Sequence, residues 1–206
     1  MRVVVAPDKF EGTLSAKDAA GALAAGWRRA DRSAEVEEVP VADGGKGTLE
    51  TLVDALGGRR ETVRVTGPLG DPIDADFGLA ETAGGTIAIV EMARASGLAL
   101  VSEARRDPTG ATTRGTGDLI AAACRHRPRR VLVCIGGSAT NDGGAGMAQA
   151  VGIRLVDQRG DELPPGGAAL RRLARIDASG LDPAVRGVEV VAACDVDNPL
   201  TGPKGA

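Results

Sequence analysis

The stretch from Val131 to Ala150 most constrains what this chain can fold into. An apolar run, Val-Leu-Val-Cys-Ile, passes directly into Gly136 to Gly144 (Gly-Gly-Ser-Ala-Thr-Asn-Asp-Gly-Gly) and then into Ala-Gly-Met-Ala-Gln-Ala. An unbroken apolar run is what a strand covered on both faces requires, and the Ala/Met/Gln segment favours a helix. The spacing predicts strand, loop and helix, the repeating unit of an α/β protein whose loops open at the carboxyl edge of a parallel sheet. Glycines in such a loop leave backbone N–H groups accessible to an anion at the helix N-terminus, so phosphate or carboxylate is the expected guest.

Three familiar loop chemistries do not fit. A P-loop needs Gly, four residues, then Gly-Lys-Ser/Thr; around Lys46 the first position is Pro40 and Gly47 follows the Lys. A dinucleotide fingerprint beginning at Gly144 and Gly146 meets Gln149 where a third small residue belongs. Gly136-Gly137-Ser138-Ala139-Thr140 lacks the last Gly of a nucleophile elbow, and the single His, His126, lies in a basic segment. The loop is an unusual anion cradle or a plain turn, since Gly/Asn/Asp clusters are ordinary turn chemistry.

At 206 residues there is room for one large domain or two small ones. With only 1% aromatic residues, the core has to be built from Val, Ala, Leu and Ile. A net charge of −3 and the scarcity of stacking side chains argue against nucleic acid as a partner. The basic run Arg125 to Arg130 is read as a helix-end charge cluster. No apolar stretch approaches the roughly 20 residues of a membrane span, and Met1 leads straight into a strand pattern, so a cytoplasmic protein is expected. Cys124, Cys134 and Cys194 have no metal-binding or redox spacing, and the last two end apolar runs, which suits small buried hydrophobes.

Taken in order, Arg2 to Ala6 is a predicted strand and Ser15 the N-cap of a helix from Ala16 to Ala30. A strand from Val36 to Val39 is followed by the loop Ala42 to Thr48 and a helix from Leu49 to Leu56. From Glu61 the texture becomes β-rich, with strands at Thr62 to Thr66, Ile73 to Leu79 and Thr86 to Glu91 forming a meander. A domain boundary is therefore placed near residue 60, giving units 1–60 and 61–206. Ala93 to Ala104 is helix and loop, Thr112 to Gly117 is a polar loop before a helix from Asp118 to Arg125, and Ile153 to Val156 is a short strand. Ala168 to Ala174 is a further predicted helix, and Val188 to Ala193 a last buried strand.

Strand after strand is followed by a loop carrying an acid: Asp8, Asp43, Asp142, then Asp195 with Asp197. Carboxylates gathered beside Gly-rich loops at the carboxyl ends of strands suit a phosphoryl site with Mg²⁺, although each Asp alone would pass as a helix cap. Ala6-Pro7-Asp8 with Phe10 and Gly12, Ala42-Asp43-Gly44-Gly45 with Gly47-Thr48, Gly115-Thr116-Gly117, Gly136 to Gly146, and Cys194-Asp195-Val196-Asp197-Asn198-Pro199-Leu200 together resemble the bacterial glycerate kinase family. Pieces match in order along nearly the whole chain, and the likeness covers about the N-terminal half of a typical member. It implies ATP-dependent phosphorylation of glycerate to a phosphoglycerate with Mg²⁺, and two α/β domains, one restriction-enzyme-like and one flavodoxin-like, each completed by the remaining half. The first loop carries Glu11 where the family usually has Lys, and the second carries Lys46 where it usually has an acid.

On that resemblance, Asp195, Asp197, Asp8 and Asp43 are the expected catalytic carboxylates, with Asp195 and Asp197 as metal ligands. Gly136, Gly137, Ser138, Asn141, Asp142, Gly143, Thr116 and Asn198 are expected to hold substrate or phosphate. Glycerate and ATP are the expected partners, with homo-oligomerisation open. The 206-residue chain by itself is expected to be inactive and poorly folded. The competing reading is a non-catalytic fragment that binds nucleotide or a partner chain; a hydrolase using Ser138 ranks third.

Overall fold

The computed structural model describes residues 1–10, 12–194, 199 and 202–203. The expected Asp195, Asp197 and Asn198 positions, and Glu11, lie outside the described residues.

The chain starts with a small parallel unit. Strands β1 (Arg2–Val5) and β2 (Glu35–Glu38) pair in parallel, joined by helix α1 (Ala16–Ala30). Ser15 caps α1 as its sequence requires: its backbone is extended, and its Oγ accepts the Asp18 N–H at 3.1 Å. Ala16, Ala20 and Ala24, four residues apart, form one bare stripe, so the helix lies close over Val3, Val5 and Val36.

Helix α2 (Thr48–Ala55) follows β2 in the chain but is buried against a second, five-stranded sheet. That sheet has the order β3 (Arg59–Thr66), β4 (Pro72–Thr82), β5 (Gly85–Glu91), β6 (Arg130–Cys134), β9 (Glu189–Ala193). β3, β4 and β5 form the antiparallel meander, whereas β5, β6 and β9 are parallel. Strand periodicity divides the faces. Ala88 and Val90 pack with Val131, Val133 and helix α4 (Arg114–Cys124), while Ile89 and Cys134 pack with Leu49 and Val53 of α2. Gly78 of β4 is what admits α2, since a Cβ there would meet Val53 at 2.5 Å.

Helix α3 (Ala93–Ser96) and two single 3₁₀ turns, Leu98–Leu100 and Glu103–Arg105, follow β5. Helix α5 (Ala145–Ala150) follows the glycine loop, and β7 (Arg154–Val156) pairs antiparallel with β8 (Arg175–Asp177). The architecture is mixed α/β, as expected. We propose the division at about residue 60 on the strength of the two sheets, with α2 seated on the second of them.

Four local expectations are corrected. α4 begins at Arg114, four residues before the expected Asp118, because Gly115 and Gly117 serve close packing: a Cβ at Gly115 would lie 1.9 Å from the Thr66 carbonyl oxygen, and one at Gly117 2.4 Å from that of Met147. The expected helix from Ala168 to Ala174 is a 3₁₀ segment, Gly167–Arg172. β9 has a sheet neighbour on one side only among the described residues, which leaves Val190 48% exposed. Cys194, read as buried, is exposed, while Cys124 and Cys134 are buried.

Candidate functional site

The loop between β2 and α2 meets the loop after β6. A Cβ on Gly136 would lie 2.7 Å from the Gly45 Cα, and one on Gly44 would lie 3.2 Å from the carbonyl oxygen of Ala193 at the end of β9. Bare backbone is needed on both sides of this contact. It closes one wall of a cavity of about 280 Å³ lined by Lys9, Asp43, Gly45, Lys46, Ile135, Gly136 and Gly137.

Lys9 is the hinge of the arrangement. Parallel pairing of β1 and β2 brings their following loops to one edge, and Lys9 Nζ lies 2.8 Å from Asp43 Oδ2 and 3.8 Å from Asp8 Oδ2. Asp8 Oδ1 accepts the Lys9 backbone N–H at 2.6 Å, and Asp43 Oδ1 accepts the Gly45 N–H at 2.8 Å. The Lys9 ammonium, helped by that amide, holds the Asp43 carboxyl below the usual carboxylate range. The structure thus brings Asp8 and Asp43 together around Lys9, a lysine that the sequence reading passed over.

Gly136, Gly137 and Ser138 donate their backbone N–H groups to no acceptor among the described residues, and Gly137 is in the left-handed conformation at φ +67°. Successive unused amides around such a residue form an anion-binding concavity. The hydroxyl of Ser138 is turned within its own loop, 2.7 Å from Thr140 Oγ1 and accepting the Thr140 N–H at 2.9 Å. The Asn141 side chain makes no hydrogen bond among the described residues.

Asp142 has a different place. It is 1% exposed, and its carboxylate accepts the amides of Thr113 (2.8 Å), Gly144 (3.1 Å) and Gly146 (3.0 Å), with the Thr113 hydroxyl at 2.9 Å. The Thr113 hydroxyl in turn accepts the Met147 N–H. The N-terminus of α5, expected to await an outside anion, is therefore already occupied by an internal one. Gly143, at φ +59°, makes the turn into that clasp. Thr116 is likewise interior, 1% exposed with its hydroxyl 2.8 Å from that of Ser96.

A sequence profile described as the glycerate kinase family matches residues 3–206. The chain belongs to the glycerate kinase family. It is 54% identical over 206 residues to "Glycerate kinase" of Bacillus subtilis (strain 168), covering all of this chain and 53% of that one. It is 47% identical over 206 residues to "Glycerate 2-kinase" of Escherichia coli (strain K12), covering all of this chain and 54% of that one. A crystal structure assigned to glycerate kinase 2 of Salmonella typhimurium LT2 superposes with a TM-score of 0.87 at 47% identity, over all of this chain and 55% of that one. The chain spans about half the length of the relatives it matches.

Within this family member, a buried charge network fixes the loop that carries Asp43. Glu91, 1% exposed at the end of β5, accepts the amides of Gly47 and Leu49 at 3.0 Å each and so caps α2 from another element. Burial pushes the Glu91 carboxyl up, and its Oε1 has no hydrogen-bond partner among the described residues. Arg94 lies 3.5 Å from that oxygen, donates to Asp76 at 3.0 Å, and also pairs with Glu50 of α2. Glu91 and Arg94 went unremarked in the sequence, where one ends a strand and the other opens a helix; the signal available was a charge adjoining an apolar run.

The family implies Mg²⁺, which needs one or two carboxylates besides phosphate oxygens. Among the described residues no group of three or more His, Cys, Asp or Glu side chains is arranged to hold a metal ion, and both Asp43 oxygens are engaged by Lys9 and Gly45. The described residues do not build a metal site on their own.

Proposed function

We propose that the protein carrying this chain is a cytoplasmic glycerate kinase, transferring the terminal phosphoryl group of ATP to a hydroxyl of glycerate. The observation that carries this reading is the cavity in which Lys9, Lys46, Asp43 and the unused amides at Gly136 and Gly137 face one another in a member of this family. Phosphoryl transfer asks the protein chiefly for positioning and charge stabilisation. In this reading the Gly136, Gly137 and Ser138 amides hold phosphoryl oxygens, and Lys9 and Lys46 offset their charge. The acceptor hydroxyl forms the new P–O bond as the bond to the β,γ-bridging oxygen breaks, with ADP as leaving group.

The hydroxyl proton needs a carboxylate whose basicity is not suppressed. Asp43, held ionised by Lys9, is poorly suited, so it and Asp8 are positioning residues for the lysine, and the base is assigned to Asp195 or Asp197. Mg²⁺ belongs to the proposal through the same two residues; no step above depends on it. Asp142 and Thr116 act in this reading by shaping the loop. The test is glycerate-dependent ADP release by a purified full-length form of the protein: its absence would sink the reading, as would near-wild-type kcat in both Asp195→Asn and Asp197→Asn.

The rival reading, binding without catalysis, draws on the exposed apolar side chains Val4, Leu23, Trp27 and Val190, which a partner chain would cover. Light scattering that finds only monomer would weaken it.

A further inference from the structure

A second cavity, of about 270 Å³, lies on the other flank of the glycine loop. Gly136 and Gly137 line the cationic cavity, whereas Ser138, Ala139, Thr140 and Asn141 line this one. Its remaining wall is mainly apolar, from Leu69, Leu98, Val101, Pro108 and Ala111, with Arg106 and Asp107 as its charged members. A three-carbon hydroxy acid has no apolar face to offer such a wall. A flat heterocycle does, and the volume, just under the roughly 300 Å³ at which pockets for drug-sized ligands begin, suits one ring system and not a whole nucleotide.

Among the polar groups lining the cavity, Asn141 is the one whose shape matches a purine edge. Asn141 is exposed, and its carboxamide, a donor and an acceptor side by side, makes no hydrogen bond among the described residues. Paired donor and acceptor is the arrangement by which a carboxamide reads the amino group and ring nitrogen of adenine. Five residue steps separate Gly136 from Asn141, at most about 18 Å of chain, so the two cavities lie within reach of one extended ligand.

The geometry points to this cavity as the adenine site of the kinase, with Asn141 as the base-reading residue and the loop 136–141 running under the ribose toward the phosphates. The inference rests on the kinase reading and divides the loop that the sequence assigned to substrate or phosphate: the Gly136, Gly137 and Ser138 amides serve the phosphates, and the Asn141 side chain the base.

Binding measured by calorimetry on the purified protein tests it, with ATP, inosine triphosphate, inorganic tripolyphosphate and glycerate as probes. Inosine triphosphate replaces the amino group by a carbonyl, so wild type should bind ATP about tenfold more tightly. Asn141→Leu should lower ATP affinity about tenfold and abolish that preference. Leu98→Trp, at a 38% exposed rim position, should fill the cavity and weaken ATP by a similar factor while leaving tripolyphosphate within about twofold. Unchanged ATP binding in both variants overturns the assignment, as does a loss confined to glycerate, or the absence of ATP binding by wild type. Retained glycerate-dependent ADP release alongside unaffected variants would discard the adenine site and leave the kinase reading standing.

Discussion

Asp43-Gly44-Gly45 and Asp142-Gly143-Gly144 are the same three residue types between a strand and a helix, and they end in opposite circumstances. The Asp142 carboxylate is buried and saturated by amides and a hydroxyl, whereas the Asp43 side chain is 45% exposed and turned to Lys9 on a cavity wall. The difference lies in who caps the following helix. At α2, Glu91 reaches across from β5 to the Gly47 and Leu49 amides, so Asp43 is released from capping. At α5 the Gly144 and Gly146 amides find their carboxylate in Asp142 itself. A shared motif supplies a shared turn; the count of orphan N–H groups nearby decides whether its acid becomes scaffold or stays available for chemistry.

The widest gap between the two should be in stability. Asp142→Ala leaves several buried donors unpaired, and losses of this kind cost about 3 kcal/mol or more. In a chain of this size the unfolding midpoint should fall by about 6–12 °C. A midpoint unchanged in thermal denaturation followed by circular dichroism would break the contrast.

Turnover should sharpen it from the other side. Lys9→Met removes the ammonium that Asp43 and Asp8 hold, and loss of one charge-stabilising donor typically costs about 100-fold in rate. We expect kcat for glycerate phosphorylation to fall by about that factor with the midpoint shifted by less than about 3 °C. A fall in stability without a fall in kcat would move Lys9 to the scaffold side.

Much of this was open to a reader of the sequence. The Ser15 cap, the strand before Gly136 and the helix from Ala145 follow local rules and are in place. Other features depend on partners distant in the chain. Thr112 to Gly117 reads as a loop because Gly and Thr favour turns, yet Gly115 and Gly117 are small so that a helix can touch the Thr66 and Met147 carbonyls. Lys9 finds Asp43 across 34 residues only because β1 and β2 pair in one register. Glu91, Arg94, Asp76 and Glu50 come from four elements and show no spacing pattern.

Glu91 gives a subtler test, through pH. Its folded carboxyl is raised by burial above its ordinary value of 4.5, so the folded state holds the proton more tightly than the unfolded chain. Stability from this group is fully present below the unfolded value and is lost as pH rises through the folded one. Wild type should therefore lose midpoint as pH rises above about 4.5 more steeply than Glu91→Gln, whose side chain does not ionise. Parallel midpoint curves for the two proteins above that pH would remove Glu91 as the buried cap of α2.

The smallest effect belongs to Asp43, and its pH sign is the reverse. Its folded carboxyl is lowered by the Lys9 hydrogen bond first and the Gly45 amide second, so its contribution is present above the ordinary value of 3.8 and disappears as pH falls through the still lower folded one. The group is nearly half exposed and water screens the pair, so the contribution should be below about 1 kcal/mol. Asp43→Asn should then melt within about 4 °C of wild type at pH 7. The offset should stay constant down to about pH 5 and shrink only as pH falls below about 4. Added salt should narrow the gap at pH 7, since exposed pairs are screened, and should leave the Asp142→Ala deficit almost untouched, because buried hydrogen bonds are not. If Asp43→Asn instead lost as much stability as Asp142→Ala, the two motifs would be doing the same structural work, and the distinction between an acid that builds a loop and an acid that holds a lysine for chemistry would fall with it.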